Sequence, residues 1–367
     1  MRSIDLRIVG RAVIIASLAG LGSTQAQAAI TRYVIQISVD GLRADAIMTL
    51  GKTRLPNFFR LRNEGAYTDN ARTDVDYTVT LPNHTTQITG RPVAGIAGHN
   101  YTRNVVPGST TSLHQIKGSY VSSVFDVVHD HGLSTAVFAS KSKFVLYEQS
   151  YSASNGAVDI TGRDDGRDKI DVFEINDDTS DLVDDFLSAI TISPLNYTFM
   201  HLRDPDTAGH TSNWDLRLES NYLNSVITVD HLIGKILAAI QSSKSLRGRT
   251  VLVITADHGG RIGTTTHNPA DNRENYTIPF YVWGGNTTAG VDLYALNSGS
   301  RVDPGSSQPA YDRALQPIRN GDAANLSLEL LELKANPGST INAAQDLNTI
   351  EATTIAHRNS RRVADSH

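Results

Sequence analysis

Three short apolar, β-rich runs in this chain end at acidic residues or at an Asp-His pair. Tyr33–Val39 (YVIQISV) stops at Asp40-Gly41. Asn196–Leu202 (NYTFMHL) leads into Arg203-Asp204-Pro205-Asp206 and then His210, within DPDTAGH. Thr250–Thr255 (TVLVIT) leads into Ala256-Asp257-His258-Gly259-Gly260. Near-continuous apolar runs of this length suit strands covered on both faces, as in a parallel sheet between helical layers. In such sheets ligands gather beyond the carboxyl ends of the strands. Three runs with acids and imidazoles at that same end therefore place potential metal ligands along one edge of the fold.

The segments between them read as helices. Pro56 opens a helical stretch over Asn57–Glu64. Val121–His131 reads as a helix with Gly132 at its C′ position, followed by a strand at Ser134–Ala139 (STAVFA). Ser220–Ser242 contains a long helix, Ile278–Trp283 is a further strand, and Asp322–Leu333 is a late amphipathic helix closed by Asn336-Pro337-Gly338. Alternation of this kind predicts a three-layer α/β/α sandwich around a mostly parallel central sheet. The polar stretch 149–180 reads as an inserted loop or small cap, and residues 351–367 as a polar tail.

Residues 1–28 read as a secretory signal. Arg2, Arg7 and Arg11 form a basic start, Ala12–Gly22 is a short apolar run, and Ala26-Gln27-Ala28 is a small-x-small cleavage site. The catalytic domain is thus expected over 29–350, exported to the periplasm or beyond, with no membrane span. Loss of the signal, with its three Arg and one Asp, moves the formal net charge from -5 to -7. An acidic chain of this kind carries no nucleic-acid footprint. The absence of cysteine excludes disulfides, thiolate-held zinc, iron–sulfur clusters and thiol nucleophiles. Any metal must be held by His, Asp, Glu or hydroxyl oxygen, and a mixed His/Asp set favours zinc over magnesium.

Two other Asp-His pairs test the strand-end criterion. Asp130-His131-Gly132 also spells DHG, but it sits at a helix end, and Asp230-His231 lies inside the long helix. Helix termination and helical periodicity account for both. The nucleophile candidate is Thr80, in TVTLPNHTTQITGRP, where Pro82 marks the start of a helix whose N–H groups favour an anion. A threonine hydroxyl needs activation, which metal coordination can supply.

ISVDGLR, TLPNHTTQITGRP, DPDTAGH, ADHGG and TIPFYVWGG, in this order, resemble the alkaline phosphatase superfamily, and within it the type I phosphodiesterase/nucleotide pyrophosphatase branch. The resemblance runs from about Tyr33 to Trp283 and implies a two-zinc phosphohydrolase acting on small-molecule phosphate esters. It makes Thr80 the nucleophile that becomes phosphorylated. It assigns Asp40, Thr80, Asp257 and His258 to one zinc, and Asp206, His210 and a third histidine to the other. His267, just ahead of the Asn268…Pro279-Phe280 segment, is the expected third histidine, with His357 its rival. The family's phosphate-contacting asparagine falls on Asn100, after His99. His84 and Asp204 are candidates for orienting the ligands.

Two divalent ions against Asp40, Asp206 and Asp257 leave one net positive charge, which a Thr80 alkoxide would cancel. A diester monoanion needs little more, whereas a monoester dianion or a phosphonate gains from added cations. Lys141 and Lys143 follow the strand STAVFA, and continued strand alternation would aim both at one side. A similar Lys-x-Lys or Lys-x-Arg element binds substrate in phosphonoacetate hydrolases and in some periplasmic alkaline phosphatases. The alternative activity is therefore a phosphomonoesterase or phosphonate hydrolase with Lys141 and Lys143 as an anion clamp. A non-catalytic, metal-stabilised periplasmic binding protein is the alternative from another class. Sulfatases of this superfamily need a C/S-x-P-x-R motif that is missing here, and the phosphoethanolamine transferases normally carry membrane helices.

Overall fold

The structure is a computed structural model that describes residues 30–163 and 166–351. The segment read as an export signal and His357, with almost all of the polar tail, lie outside the described residues.

Among the described residues eight strands form one sheet: β1 (Tyr33–Val39), β2 (Ala66–Arg72), β3 (Thr135–Ala139), β4 (Val172–Ile175), β5 (Tyr197–Leu202), β6 (Thr250–Thr255), β7 (Thr277–Gly284) and β8 (Val291–Asp292). Their spatial order is β4-β3-β5-β1-β6-β7-β2-β8. The five strands from β4 to β6 are mutually parallel, and β7 runs antiparallel to both of its neighbours. Strands β3, β5 and β6 are buried at every residue, and β1 at every residue but its first, as runs covered on both faces should be.

The helices, in chain order, are α1 (Ala44–Arg54), α2 (Pro56–Glu64), α3 (Thr80–Thr89), α4 (Leu113–Lys117), α5 (Val124–Asp130), α6 (Val145–Tyr151), α7 (Thr179–Ile192), α8 (Asp204–Ser212), α9 (Asn221–Ser242), α10 (Arg273–Tyr276), α11 (Leu293–Leu296) and α12 (Asp322–Leu330). Around α9 pack α1, α2, α7 and α8, while α3, α5 and α12 pack together in the other helical layer. The three-layer α/β/α sandwich read from the sequence is the observed fold.

Several boundaries differ for local reasons. Helix α5 starts three residues later than read, because Ser123 and Asp126 close a capping box there. Helix α12 stops at Leu330, where three backbone carbonyls share the N–H of Leu331. The 149–180 stretch is more than an inserted loop: it holds the end of α6, the edge strand β4, which pairs with β3, and the first two residues of α7. Four polar or half-exposed residues gave β4 no alternation to read. Helix α9 is long and apolar enough to cross a membrane by length and composition, but half of its apolar window is buried against neighbouring helices.

The two sequence decoys serve the scaffold. Asp130 pairs with the fully buried Lys169 at 3.1 Å. Asp230 reaches from α9 to the start of α2, where its Oδ1 accepts N–H bonds from Asn57 at 3.1 Å and Phe58 at 2.7 Å. It thus caps a helix from outside that helix. Replacing Asp230 with Ala strands those donors. Urea unfolding should show a loss of about 1–2 kcal/mol, the scale of a lost N-cap, with an unchanged m-value.

Candidate active site

Four adjacent strands, in the order β3-β5-β1-β6, deliver the candidate residues at their carboxyl ends. Strand β1 ends at Asp40, and β5 leads into α8 with Asp206 and His210 one turn apart. Strand β6 leads into Asp257-His258, and β3 into Ser140-Lys141. The turn after β1 requires glycine. Gly41 has φ +70°, and a Cβ there would meet Asp206 Cα at 2.8 Å. The Gly41 N–H also donates to Asp257 Oδ1 at 3.1 Å, so one turn joins all three motifs.

The three carboxylates are buried, and each has one oxygen held and one facing inward. Asp40 Oδ2 accepts from Lys141 Nζ at 2.6 Å and lies 2.9 Å from His201 Nε2. Asp206 Oδ2 accepts from the same Lys141 ammonium at 2.6 Å. Asp40 Oδ1, Asp206 Oδ1 and Asp257 Oδ2 are left as buried acceptors with no hydrogen-bond donor. They lie 3.6, 3.2 and 3.1 Å from the Nε2 atoms of His258, His210 and His258, respectively.

The other ring nitrogen of each histidine is tied to a backbone carbonyl. His210 Nδ1 meets Thr265 O at 2.7 Å, His258 Nδ1 meets Gly259 O at 2.8 Å, and His267 Nδ1 meets Thr78 O. A ring that donates from Nδ1 keeps a lone pair on Nε2 when neutral. Lone pairs facing orphaned carboxylate oxygens repel unless a cation lies between them. This donor set therefore fits divalent metal, with carbonyls fixing the tautomers as outer partners of metal-ligating histidines do. Of the three groups among the described residues whose ligand atoms are close enough to share an ion, two lie here, Asp206/His210/His267 and Asp40/Asp206/His258; the third is His129/Asp130/Asp159.

Burial opposes the ionisation of Asp40, yet Lys141 and His201 hold its carboxyl well below the usual range. Burial and the Asp40 charge push Asp206 up, but His210, Lys141 and His258 outweigh them and lower it. For Asp257 the Lys141 charge and the Gly41 N–H are outweighed. Its burial, with the charges of Asp40 and Asp206, raises it well above the usual range. Burial keeps His258 and His267 neutral, with His267 lowered to about 3, as metal ligands need to be. The partly exposed His210 is raised chiefly by the Asp206 carboxylate, 3.2 Å from its Nε2.

Thr80 is the first residue of α3, and its Oγ1 lies 3.5 Å from His258 Nε2. His84, one turn on, faces Thr80 O with Nδ1 at 2.7 Å and lies 3.6 Å from Asp257 Oδ2, so it braces the first turn of the helix. Asp204 instead meets Thr179, away from the ligands. His267 is clamped twice to Thr78, two residues before Thr80, because the Thr78 hydroxyl also donates to His267 O at 2.6 Å.

Asn100 does not lie at the start of α3 by its contacts. Its backbone is left-handed (φ 62°), and its N–H donates to Val93 O. The asparagine at that point is Asn104, whose Oδ1 accepts from Leu81 N–H at 3.1 Å and from Lys143 Nζ at 2.9 Å. The His-Asn pair after α3 singled out Asn100, whereas the amide at the start of α3 belongs to Asn104, in a loop with no periodic signal. The Lys-x-Lys element also differs from an extended pair. The strand ends at Ala139, and Ser142–Phe144 is a 3-10 turn. Lys141 consequently bridges Asp40 and Asp206, while Lys143 stands at the nucleophile helix. His201 was hidden in the sequence as an ordinary strand residue. Its contact with Asp40, together with the 3.0 Å contact between its Nδ1 and Ser140 Oγ, makes it a brace for that carboxylate.

Fold and donor set together match what the resemblance to the alkaline phosphatase superfamily leads one to expect. Residues 34–278 match the type I phosphodiesterase / nucleotide pyrophosphatase family. The chain belongs to that metal-dependent family, and it is a phosphoric ester hydrolase. Among solved structures it is similar to murine ectonucleotide pyrophosphatase / phosphodiesterase 5, an inactive variant in complex with AMP, at 16% identity and TM-score 0.56 over 86% of this chain and 99% of that one. It is also similar to the lipoteichoic acid synthase LtaP from Listeria monocytogenes (14%, TM-score 0.58, 88% and 77%). A third is the periplasmic domain of the phosphoethanolamine transferase EptC from Campylobacter jejuni (14%, TM-score 0.54, 87% and 94%). At these identities the likeness is one of fold.

Lys141 is the ammonium that two buried carboxylates share. Lys141→Met should destabilise the metal-free protein by about 3–5 kcal/mol, the scale of a buried pair broken on one side. Urea unfolding with and without Zn²⁺ measures this, and added zinc should recover part of the loss.

Proposed function

We propose that the protein is an exported two-zinc phosphohydrolase that cleaves phosphate esters through a phosphothreonine on Thr80. The observation that carries this reading is the ring of three orphaned carboxylate oxygens and imidazole Nε2 atoms beside the Thr80 hydroxyl. Asp40, Thr80, Asp257 and His258 would hold one ion, and Asp206, His210 and His267 the other. Divalent ions supply Lewis-acid chemistry, lowering the pKa of a coordinated hydroxyl and offsetting phosphate charge.

The chain's own groups supply position. Thr80 is presented at the N-terminus of a ten-residue helix, where backbone N–H groups favour an anion. Its Oγ forms the new bond to phosphorus as the bond to the leaving oxygen breaks, and water later cleaves the Thr80–phosphorus link. Asn104 has its oxygen held by two donors, so its NH2 group is the end left to donate to a nonbridging phosphate oxygen.

Substrate charge divides two forms of this activity. Lys141 is committed to Asp40 and Asp206, which favours the phosphodiester/nucleotide pyrophosphatase form. Lys143, beside Asn104 and partly desolvated, supplies a further cation that a monoester dianion or phosphonate would use. Thr80→Ala should lower turnover of nitrophenyl mono- and diesters by at least about 10³-fold, the scale of a removed covalent nucleophile. Wild-type turnover in that variant would sink the assignment. In the same assays Lys143→Ala should cost the monoester about 10–100-fold more than the diester if Lys143 binds the second negative charge. An unchanged ratio leaves the diester form. Export rests on the order of basic start, apolar run and Ala26-Gln27-Ala28. N-terminal mass spectrometry of the secreted or periplasmic protein should find Ala29 first, and an intact Met1 would refute it.

A further inference from the structure

Trp214 stands at the meeting point of the three ligand-bearing motifs. Helix α8 ends at Ser212, and the next residue, Asn213, has φ 61° and ψ 162°, a backbone region that side-chain-bearing residues rarely occupy. That strained turn folds the chain back and buries the next residue, Trp214, completely. Its indole N–H donates to Gly41 O at 3.3 Å, in the turn after Asp40. A Cβ at Gly209, beside His210, would lie 2.2 Å from the indole Cε2. A Cβ at Gly260, two residues after His258, would lie 2.0 Å from the same ring. Glycine at 209 and at 260 is thus required by the indole, whereas neither position has the positive φ that would otherwise demand it.

The ring also touches the ligands. It meets His210 edge-on, with centroids 5.2 Å apart at 72°, and His267 at 6.1 Å and 85°. His267 in turn stacks on His258 at 3.7 Å and 18°. His210 is half-exposed, and its contacts include the Thr265 carbonyl, Asp206, the His267 ring at 5.1 Å and this indole. We infer that Trp214 is a positioning residue for the Asp206/His210/His267 metal site, setting the planes of both imidazoles while Gly41, Gly209 and Gly260 clasp it. The Asp40/Asp257/His258 side depends on it less, because Tyr222 also donates to Gly41 O, at 2.9 Å. This inference rests on the metal-dependent reading above.

The test uses the mature chain stripped of metal and titrated with Co²⁺ and Zn²⁺ against a competing chelator. Trp214→Leu should weaken one of two sites by about 10–100-fold, the range for removed outer partners of metal ligands. The other site should stay within about threefold, and Trp214→Phe, which keeps an aromatic edge, should recover most of the loss. Gly209→Ala should weaken the same site in the wild-type background and add nothing further in Trp214→Leu, where the space it needs is open. Additive losses, or a Trp214→Leu protein that binds both ions as the wild type does, overturn the inference.

If Trp214→Leu fails to fold, fluorescence decides. Trp283→Phe leaves Trp214 as the sole tryptophan, and its emission should be quenched in step with filling of one Co²⁺ site. Unchanged emission at saturation overturns the inference. A wild-type protein that takes up no metal sinks the parent reading with it, whereas two bound ions without any response at Trp214 sink this inference alone.

Discussion

Three carboxylates buried side by side at the ends of adjacent strands set the problem that the rest of this molecule solves. Two unit charges about 4 Å apart repel by about 4 kcal/mol even at an effective dielectric near 20. Asp40, Asp206 and Asp257 face that repulsion inside a protein core. Lys141 relieves it for two of them with one shared ammonium, and Asp257 is left with a strongly raised pKa. The inward oxygens and the imidazoles opposite them complete the arrangement only around cations. Metal dependence is thus a consequence of how the sheet orders its strands.

The same logic explains why the nucleophile helix is polar yet wholly buried. All ten residues of α3, TLPNHTTQIT, are buried, so its hydroxyls and amides must be satisfied internally. Thr85 and Thr89 donate to carbonyls one turn back, and Gln87 donates to Ser38 on β1. Asn83 accepts from Asp74 N–H and from Asn320, whose amide also reaches Asp257 O. These bonds tie the helix to the sheet and to Asn320, although Gln87 Oε1 and His84 Nε2 keep no hydrogen-bond partner. Thr80 consequently inherits its position from the sheet beneath it.

Much of the fold was legible because covered strands and amphipathic helices leave periodic or continuous apolar signals. Strands β1 and β6 have the boundaries that were read, and α9 differs by one residue, since Ser220 caps it from just outside. The elements that escaped carry weak patterns. Strand β4 has no buried residue, and the helices α10 and α11 are only four residues long. Lys141 and Lys143 were singled out, but their different roles depend on a 3-10 turn that breaks strand alternation. His201 and Asn104 gave no signal, because one looks like a strand residue and the other like a loop residue.

The sequence by itself determined the chemistry on offer. Without cysteine, the ligands had to be His, Asp and hydroxyl groups, and strand-end placement separated Asp257-His258 from the look-alikes at Asp130 and Asp230. Family motifs then connected those residues to phosphoryl chemistry. Only the tertiary structure decided which groups meet. It set β5, β1 and β6 side by side, gave Lys141 to two carboxylates at once, and brought Asn104 rather than Asn100 to the start of α3. The physical reason is that local pattern reports burial and periodicity along one segment. Pairing between distant segments is set by strand order, by loop paths and by the glycines that let turns approach within contact distance.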